Sequence, residues 1–256
     1  FRSDMSNTDV PAALREDGNG ANDLNSFQWT DDNIRWMQNA AQKSRYYPAI
    51  AEKISAYLPP SARVFDAGGG LGDLAIWLSY HVRHVTIIEQ DPKAVAAFRT
   101  RCPKNVSTML GDVFTYIPDA LYDALVLCFF GKPGEVLPLA RELARGKSFV
   151  IQSADDEKAF ALNVGEKRGM TIHDIADELK QQGIPYSLEL FEAEHGQPFA
   201  SLADACAFFS FYSRRECTAE EVEPLLTKTS DSALPLYYVK KRKLGMLIFE
   251  AGTKKG

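Results

Sequence analysis

The sequence predicts an α/β fold in which a parallel sheet carries helices on both faces. Short apolar runs alternate with helical segments over most of the chain, and a glycine-dense turn joins the first run to the helix after it. A length of 256 residues, 45% of them hydrophobic and 25% charged, suits one large domain with an appended cap.

Residues 1–26 are polar and rich in Asn, Asp and Gly and are expected as a flexible tail; residues 1–4, ahead of Met5, read as additions to the natural start. A single domain is expected over 27–256. In "FQWTDDNIRWMQNAAQ" Thr30 or Asp31 can cap a helix on which Ile34, Met37 and Ala41 follow with helical spacing. The next helix carries Ile50, Ile54 and Leu58 on one face and stops at Pro59-Pro60. Together these two, 27–58, form an N-terminal helical lid. "RVFDAG" then reads as a strand and 72–80 as a helix. "HVTIIEQ" is a strand, and Pro92 opens the helix 92–101, where its missing N–H is harmless.

"VSTMLGD" and "DALVLCFFG" are strands, "EVLPLARELAR" a helix despite Pro138, and "SFVIQSA" a strand. "TIHDIADELKQQG" is a helix with Thr171 as cap, Ile172, Ile175 and Leu179 on one face, and Gly183 as stop. "YSLELFEAEH" and "KLGMLIFEA" complete the strands. Between them, "LADACAFFSFYSRR" and "TAEEVEPLLTK" are expected as helices of a cap inserted over 196–236.

The net charge of −5 argues against extended contact with nucleic acid, which needs a basic face. The run "KKRK" at 240–243 reads as a solvated hairpin or strand end. Cys102, Cys128, Cys206 and Cys217 form no C-x-x-C pair, so neither a zinc ribbon nor a redox couple is signalled. No run is long enough to span a bilayer, and the first residues lack the apolar core of a signal peptide. A reducing, cytoplasmic setting is expected, with no metal and no membrane partner.

The chemistry concentrates at "VFDAGGGLGDLAIWLS", residues 64–79. A strand feeding a glycine turn that opens a helix is expected to present bare N–H groups beside the positive helix end. Two ligands use such a turn. A dinucleotide places its pyrophosphate there; S-adenosylmethionine instead brings an ammonium and a sulfonium. Asp66, directly before the glycines, is a poor neighbour for phosphate and a useful one for an ammonium.

Asp66-Ala67-Gly68-Gly69-Gly70-Leu71-Gly72 resembles the D/E-x-G-x-G-x-G signature of the class I, Rossmann-like S-adenosylmethionine-dependent methyltransferases. The resemblance covers about 60–155, a cofactor-binding core, and implies seven strands with the last antiparallel. It further implies that Gly68, Gly70 and Gly72 admit the cofactor and that Glu89, 17 residues after Gly72, takes the ribose hydroxyls. By the same resemblance Gln90 packs on the adenine, Asp112 accepts its amino group, Val113 offers a backbone N–H, and Cys128 and Phe129 contact the methionine portion. The product would be S-adenosylhomocysteine.

For the methyl acceptor the sequence says less. "LCFFG" lacks the Asn/Asp-Pro-Pro-Tyr/Phe motif of amino-directed nucleic-acid methyltransferases, and Cys128 lacks the preceding proline of a C5-cytosine nucleophile. Tyr46 and Tyr47 read either as lid residues over cofactor and acceptor, with Tyr47 as a catalytic candidate, or as packing against a sheet edge. His195 is the candidate general base, with Glu194 orienting it and lining the substrate site. Asp155 and Asp156 could meet a polar acceptor or cap the next segment. The expected function is methylation of a small organic molecule. The alternatives are methylation of RNA or protein, a cofactor-binding protein without turnover, and an NAD-dependent oxidoreductase; no Tyr-x-x-x-Lys pair supports the last.

Overall fold

The computed structural model describes residues 29–156, 160–162 and 169–252; the expectation for the tail 1–26 lies outside them. Helix α1 (Asp31–Lys43) begins at Thr30, whose hydroxyl accepts the Asn33 N–H at 3.2 Å. Helix α2 (Tyr46–Ser55) buries Ile50, Ala51 and Ile54. Strands β1 (Arg63–Ala67), β2 (His84–Glu89), β3 (Val106–Leu110), β4 (Tyr122–Cys128) and β5 (Ala144–Ser153) alternate with α3 (Asp73–Leu78), α4 (Pro92–Arg99) and α5 (Val136–Leu143). Asp91 caps α4 ahead of Pro92, as the sequence implies. Helix α6 (Ile172–Gln181) starts with a capping box between Thr171 and Asp174. Strand β6 (Tyr186–Glu194) follows, and β10 (Lys241–Glu250) closes the chain.

The sheet has seven strands in the order β3-β2-β1-β4-β5-β10-β6. Strand β10 runs antiparallel to both β5 and β6, and the other pairs are parallel. Side chains alternate between two cores, as strand geometry requires. One face, with Val64, Ile87, Val126, Ile151, Ala193 and Leu244, packs under α2, α3 and Phe98 of α4. The other, with Phe65, Leu125, Leu127, Val150 and Leu247, packs under α5 and α6.

Three expectations need correction. Strand β5 starts at Ala144, ahead of "SFVIQSA", because Arg145 pairs with Asp123 across a register irregularity in β4. "TAEEVEPLLTK" is helical only over α8 (Ala219–Val222): Pro224 tightens the next turn to a 3-10 helix, and the chain then extends. The cap is also not all helical. Beside α7 (Leu202–Ser213) it holds a small antiparallel sheet of β7 (Gln197–Phe199), β9 (Leu236–Tyr238) and β8 (Leu226–Lys228). These strands have three residues each, too short to leave a period of two. Their aromatic core of Phe199, Phe208 and Phe209 takes in Trp36 of α1. Asp204 accepts both the Trp36 indole N–H at 2.8 Å and the Arg35 guanidinium at 2.9 Å, so lid and cap are one layer.

Candidate active site

Each apolar row on the first face turns polar at the carboxyl edge of the sheet. Two residues beyond Val64, Ile87, Val126, Ile151 and Ala193 stand Asp66, Glu89, Cys128, Ser153 and His195. Strand β10 runs the other way, so its contribution precedes its core residue: Arg242, two before Leu244. Of these, Asp66, Glu89, Cys128, His195 and Arg242 line one cavity of about 1050 Å³, roofed by α1, α2 and the cap, while Ser153 accepts the Arg242 guanidinium N–H groups.

At its first end the glycine loop differs from the expectation of bare amides. Gly68 and Gly69 N–H donate to the Ile88 carbonyl at 3.0 and 3.3 Å, and Gly70 N–H donates to Glu89 Oε2 at 3.0 Å. These three donors anchor the loop to β2 and so are not free to cradle a phosphate. Gly68 and Gly70 line the cavity with φ of 66° and 54°, where a side chain is strained; one at Gly68 would run into the Phe130 ring. Gly72 lies outside the cavity lining: it caps α3 at φ 71°, with Phe98 filling the space a side chain would need.

Two carboxylates stand at this end. Asp66 is 2% exposed, its Oδ2 has no hydrogen-bond partner, and burial beside Glu89 pushes its pKa up to about 7. Glu89 accepts from Gly70 and, through Oε1, from the Asp91 N–H at 2.9 Å, with lone pairs to spare on both oxygens. Gln90 lines the cavity beyond it. Asp112 caps the 3-10 turn Val113–Thr115 by accepting the Phe114 N–H at 2.9 Å; Val113, first in that turn, has no intrahelical acceptor for its own N–H. Both line the cavity.

The far end is aromatic. His195 lies between the Tyr46 ring at 4.4 Å and the Phe160 ring at 4.8 Å. Its buried Nδ1 has no partner, and burial with the Arg242 and Lys240 charges lowers its pKa to about 3, so the imidazole is neutral. Tyr46 is 4% exposed; Arg242 acts on its hydroxyl electrostatically but lies outside hydrogen-bonding geometry. Burial raises the hydroxyl pKa values of both Tyr46 and Tyr47. Between the two ends, Cys128 is held protonated by burial and by Asp66, which suits a packing role rather than a nucleophile. Phe129 lies on the rim at φ 53°.

No family model and no curated protein matches the chain. Solved structures do resemble it. A functionally unknown protein from Deinococcus radiodurans R1 is 13% identical over 79% of this chain and 86% of its own, with a TM-score of 0.50. A TehB-like SAM-dependent methyltransferase from Corynebacterium glutamicum is 19% identical over 87% and 96%, at 0.46. A precorrin-6y C5,15-methyltransferase from Geobacter metallireducens GS-15 is 12% identical over 78% and 85%, at 0.46. At such identities the likeness is one of fold, and the strand order with its single reversed strand says which. The chain has the Rossmann-like methyltransferase fold.

On this methyltransferase fold Asp66, Gly68, Gly70, Glu89, Gln90, Asp112, Val113, Cys128, Phe129, Tyr46, Tyr47 and His195 share one cavity. Glu194 does not join them. It points to the opposite face and accepts the Tyr237 hydroxyl at 2.6 Å, so the expected orientation of His195 by Glu194 is not formed. Beyond the site candidates named from the sequence, Arg242, Phe160, Tyr212 and Gln197 also line the cavity. Arg242 was legible in principle, because alternation along an antiparallel last strand puts it on the core face between outward Lys241 and Lys243. Among the described residues no helix is long and apolar enough to cross a membrane.

Proposed function

We propose that the chain transfers a methyl group from S-adenosylmethionine to a small organic acceptor. One observation carries the reading: the buried Asp66 carboxylate has an oxygen without a partner at the end of a loop whose Gly68, Gly69 and Gly70 amides are already engaged. Such a site suits a cationic group and repels a pyrophosphate.

The residues fit the cofactor. Asp66 would hold its ammonium, Glu89 its ribose hydroxyls, and Asp112 with the Val113 N–H its adenine edge. When bound, the cofactor supplies an electrophilic methyl on a sulfonium. The chain's own part is placement and exclusion of water. Tyr46, Tyr47, Phe160 and Tyr212 wall the acceptor end, and α1 with the cap covers it. His195, neutral and weakly basic, shapes that wall and would drive proton removal only feebly, since a good base has a pKa near the working pH. That favours an acceptor atom needing little deprotonation. The enclosed aromatic cavity and the net charge of −5 support a small molecule over RNA.

Calorimetry with S-adenosylmethionine, S-adenosylhomocysteine and NAD tests the proposal. Both adenosyl compounds are expected to bind and NAD not to; silence from both would refute the reading.

A further inference from the structure

Arg242 is a cation at the far end of the cavity with no carboxylate within ion-pairing distance among the described residues. Its neighbours on β10 differ: Lys241 reaches Glu192 at 4.0 Å and Lys243 reaches Asp155 at 3.7 Å, both on the outer face. Arg242 instead turns inward and is held there. Its Nε and Nη2 donate to Ser153 Oγ at 3.2 and 2.7 Å, and its guanidinium stacks 4.1 Å from the centre of the Phe129 ring. Two of its five N–H donors are thereby directed and the rest remain for a ligand. A half-buried guanidinium fixed at two points and unmatched in charge is a prepared anion site.

From this fixed, unmatched guanidinium among aromatic rings we infer that the methyl acceptor is a planar aromatic monocarboxylate whose carboxylate pairs with Arg242; the inference rests on the methyltransferase reading for its word "acceptor". Ring surface is supplied by Tyr46, Phe160 and Tyr212. A single guanidinium matches one negative charge and the flat geometry of a carboxylate. A phosphate, nearer two charges, finds no second unpaired cation beside it among the described residues. The cavity is therefore polarised, with Asp66 and Glu89 at one end and Arg242 at the other. Cys128 lies between them and feels both Asp66 and Arg242. A cation bound at the first end and an anion at the second would meet near that thiol.

The test uses the full chain and three acids, benzoate, 4-hydroxybenzoate and indole-3-acetate, each beside its primary amide. Binding is measured with and without saturating S-adenosylhomocysteine. At least one acid should bind about tenfold or more tighter than its amide. Arg242→Gln should abolish that preference, Arg242→Lys should keep part of it, and S-adenosylhomocysteine affinity should stay within about twofold in both. If no acid outcompetes its amide, or if Arg242→Gln leaves the preference intact, the inference is overturned. Because the comparison of acid and amide is made on the unaltered protein, misfolding of a variant cannot rescue it. Loss of S-adenosylhomocysteine binding in the unaltered protein would instead strike at the methyltransferase reading.

Discussion

Asp66 at neutral pH is divided between protonated and ionised forms, because burial and Glu89 lift its pKa to about 7. Only the ionised form can accept an ammonium. Affinity for S-adenosylmethionine should therefore rise with pH, by roughly 25-fold between pH 5.5 and 7.5, with proton release on binding at the lower pH. Asp66→Asn should bind weakly at every pH and show no such slope; calorimetry in two buffers of different ionisation enthalpy reads both. The same residue shows why the site was legible. A carboxylate directly before a glycine turn has no ordinary place in a buried strand end. The bare amides were misjudged for the opposite reason: which acceptor a loop N–H finds depends on β2, a neighbour in space.

The lid and cap are held as elements by few bonds. Helix α1 meets the cap at the Lys43–Asp231 ion pair, at Gln197, whose amide donates to the Trp36 carbonyl at 3.0 Å, and at Asp204, which takes donors from Arg35 and Trp36 and from the cap's own Ala200 N–H at 3.2 Å. Asp204→Ala removes the acceptor for all three donors and strands a buried indole N–H. It should lower stability by about 1–3 kcal/mol and speed amide exchange in α1 and α7 while leaving β1 and β4 protected, as hydrogen exchange with mass spectrometry can show. Helices of ten or more residues, such as α6, were readable because their apolar period repeats. The cap strands were not, and the joining of Trp36 to Phe208 is a contact no local pattern encodes.

Across the whole molecule Asp66 and His195 oppose each other. Folded Asp66 keeps its proton above 3.8 while the unfolded chain loses it, so its share of stability falls as pH rises from about 4 to 7. Folded His195 refuses a proton that the unfolded chain takes below 6.5, so its share falls as pH drops toward about 3. Between pH 4 and 6.5 these slopes largely cancel. Asp66→Asn should thus stabilise the ligand-free protein, by roughly 2–4 kcal/mol at pH 7.5 and by little at pH 4. His195→Asn, judged against its own effect at pH 7.5, should gain in acid. Urea titrations at several pH values would separate the two, and parallel curves for wild type and both variants would contradict the assignment. Most of the sheet was readable because alternating strands and helices record burial locally. Arg242 was not, since its run of four basic residues looks solvated until the direction of the last strand is known.

The cap leaves the sheet after His195 and returns before Lys241, and the two ends meet where the His195 N–H donates to the Lys240 carbonyl at 2.8 Å. Whatever lies between them is a closed excursion from one point on the sheet's edge. Lengthening such a loop raises its closure cost by only about 0.6 kcal/mol per doubling. Longer connections within the cap would thus cost little and leave the strands holding Asp66 and Glu89 alone, while the cap's core stays joined to Trp36 of α1. The chain thus separates the cofactor-binding strands from an appended cap, with the His195–Lys240 hydrogen bond at the point where the two meet.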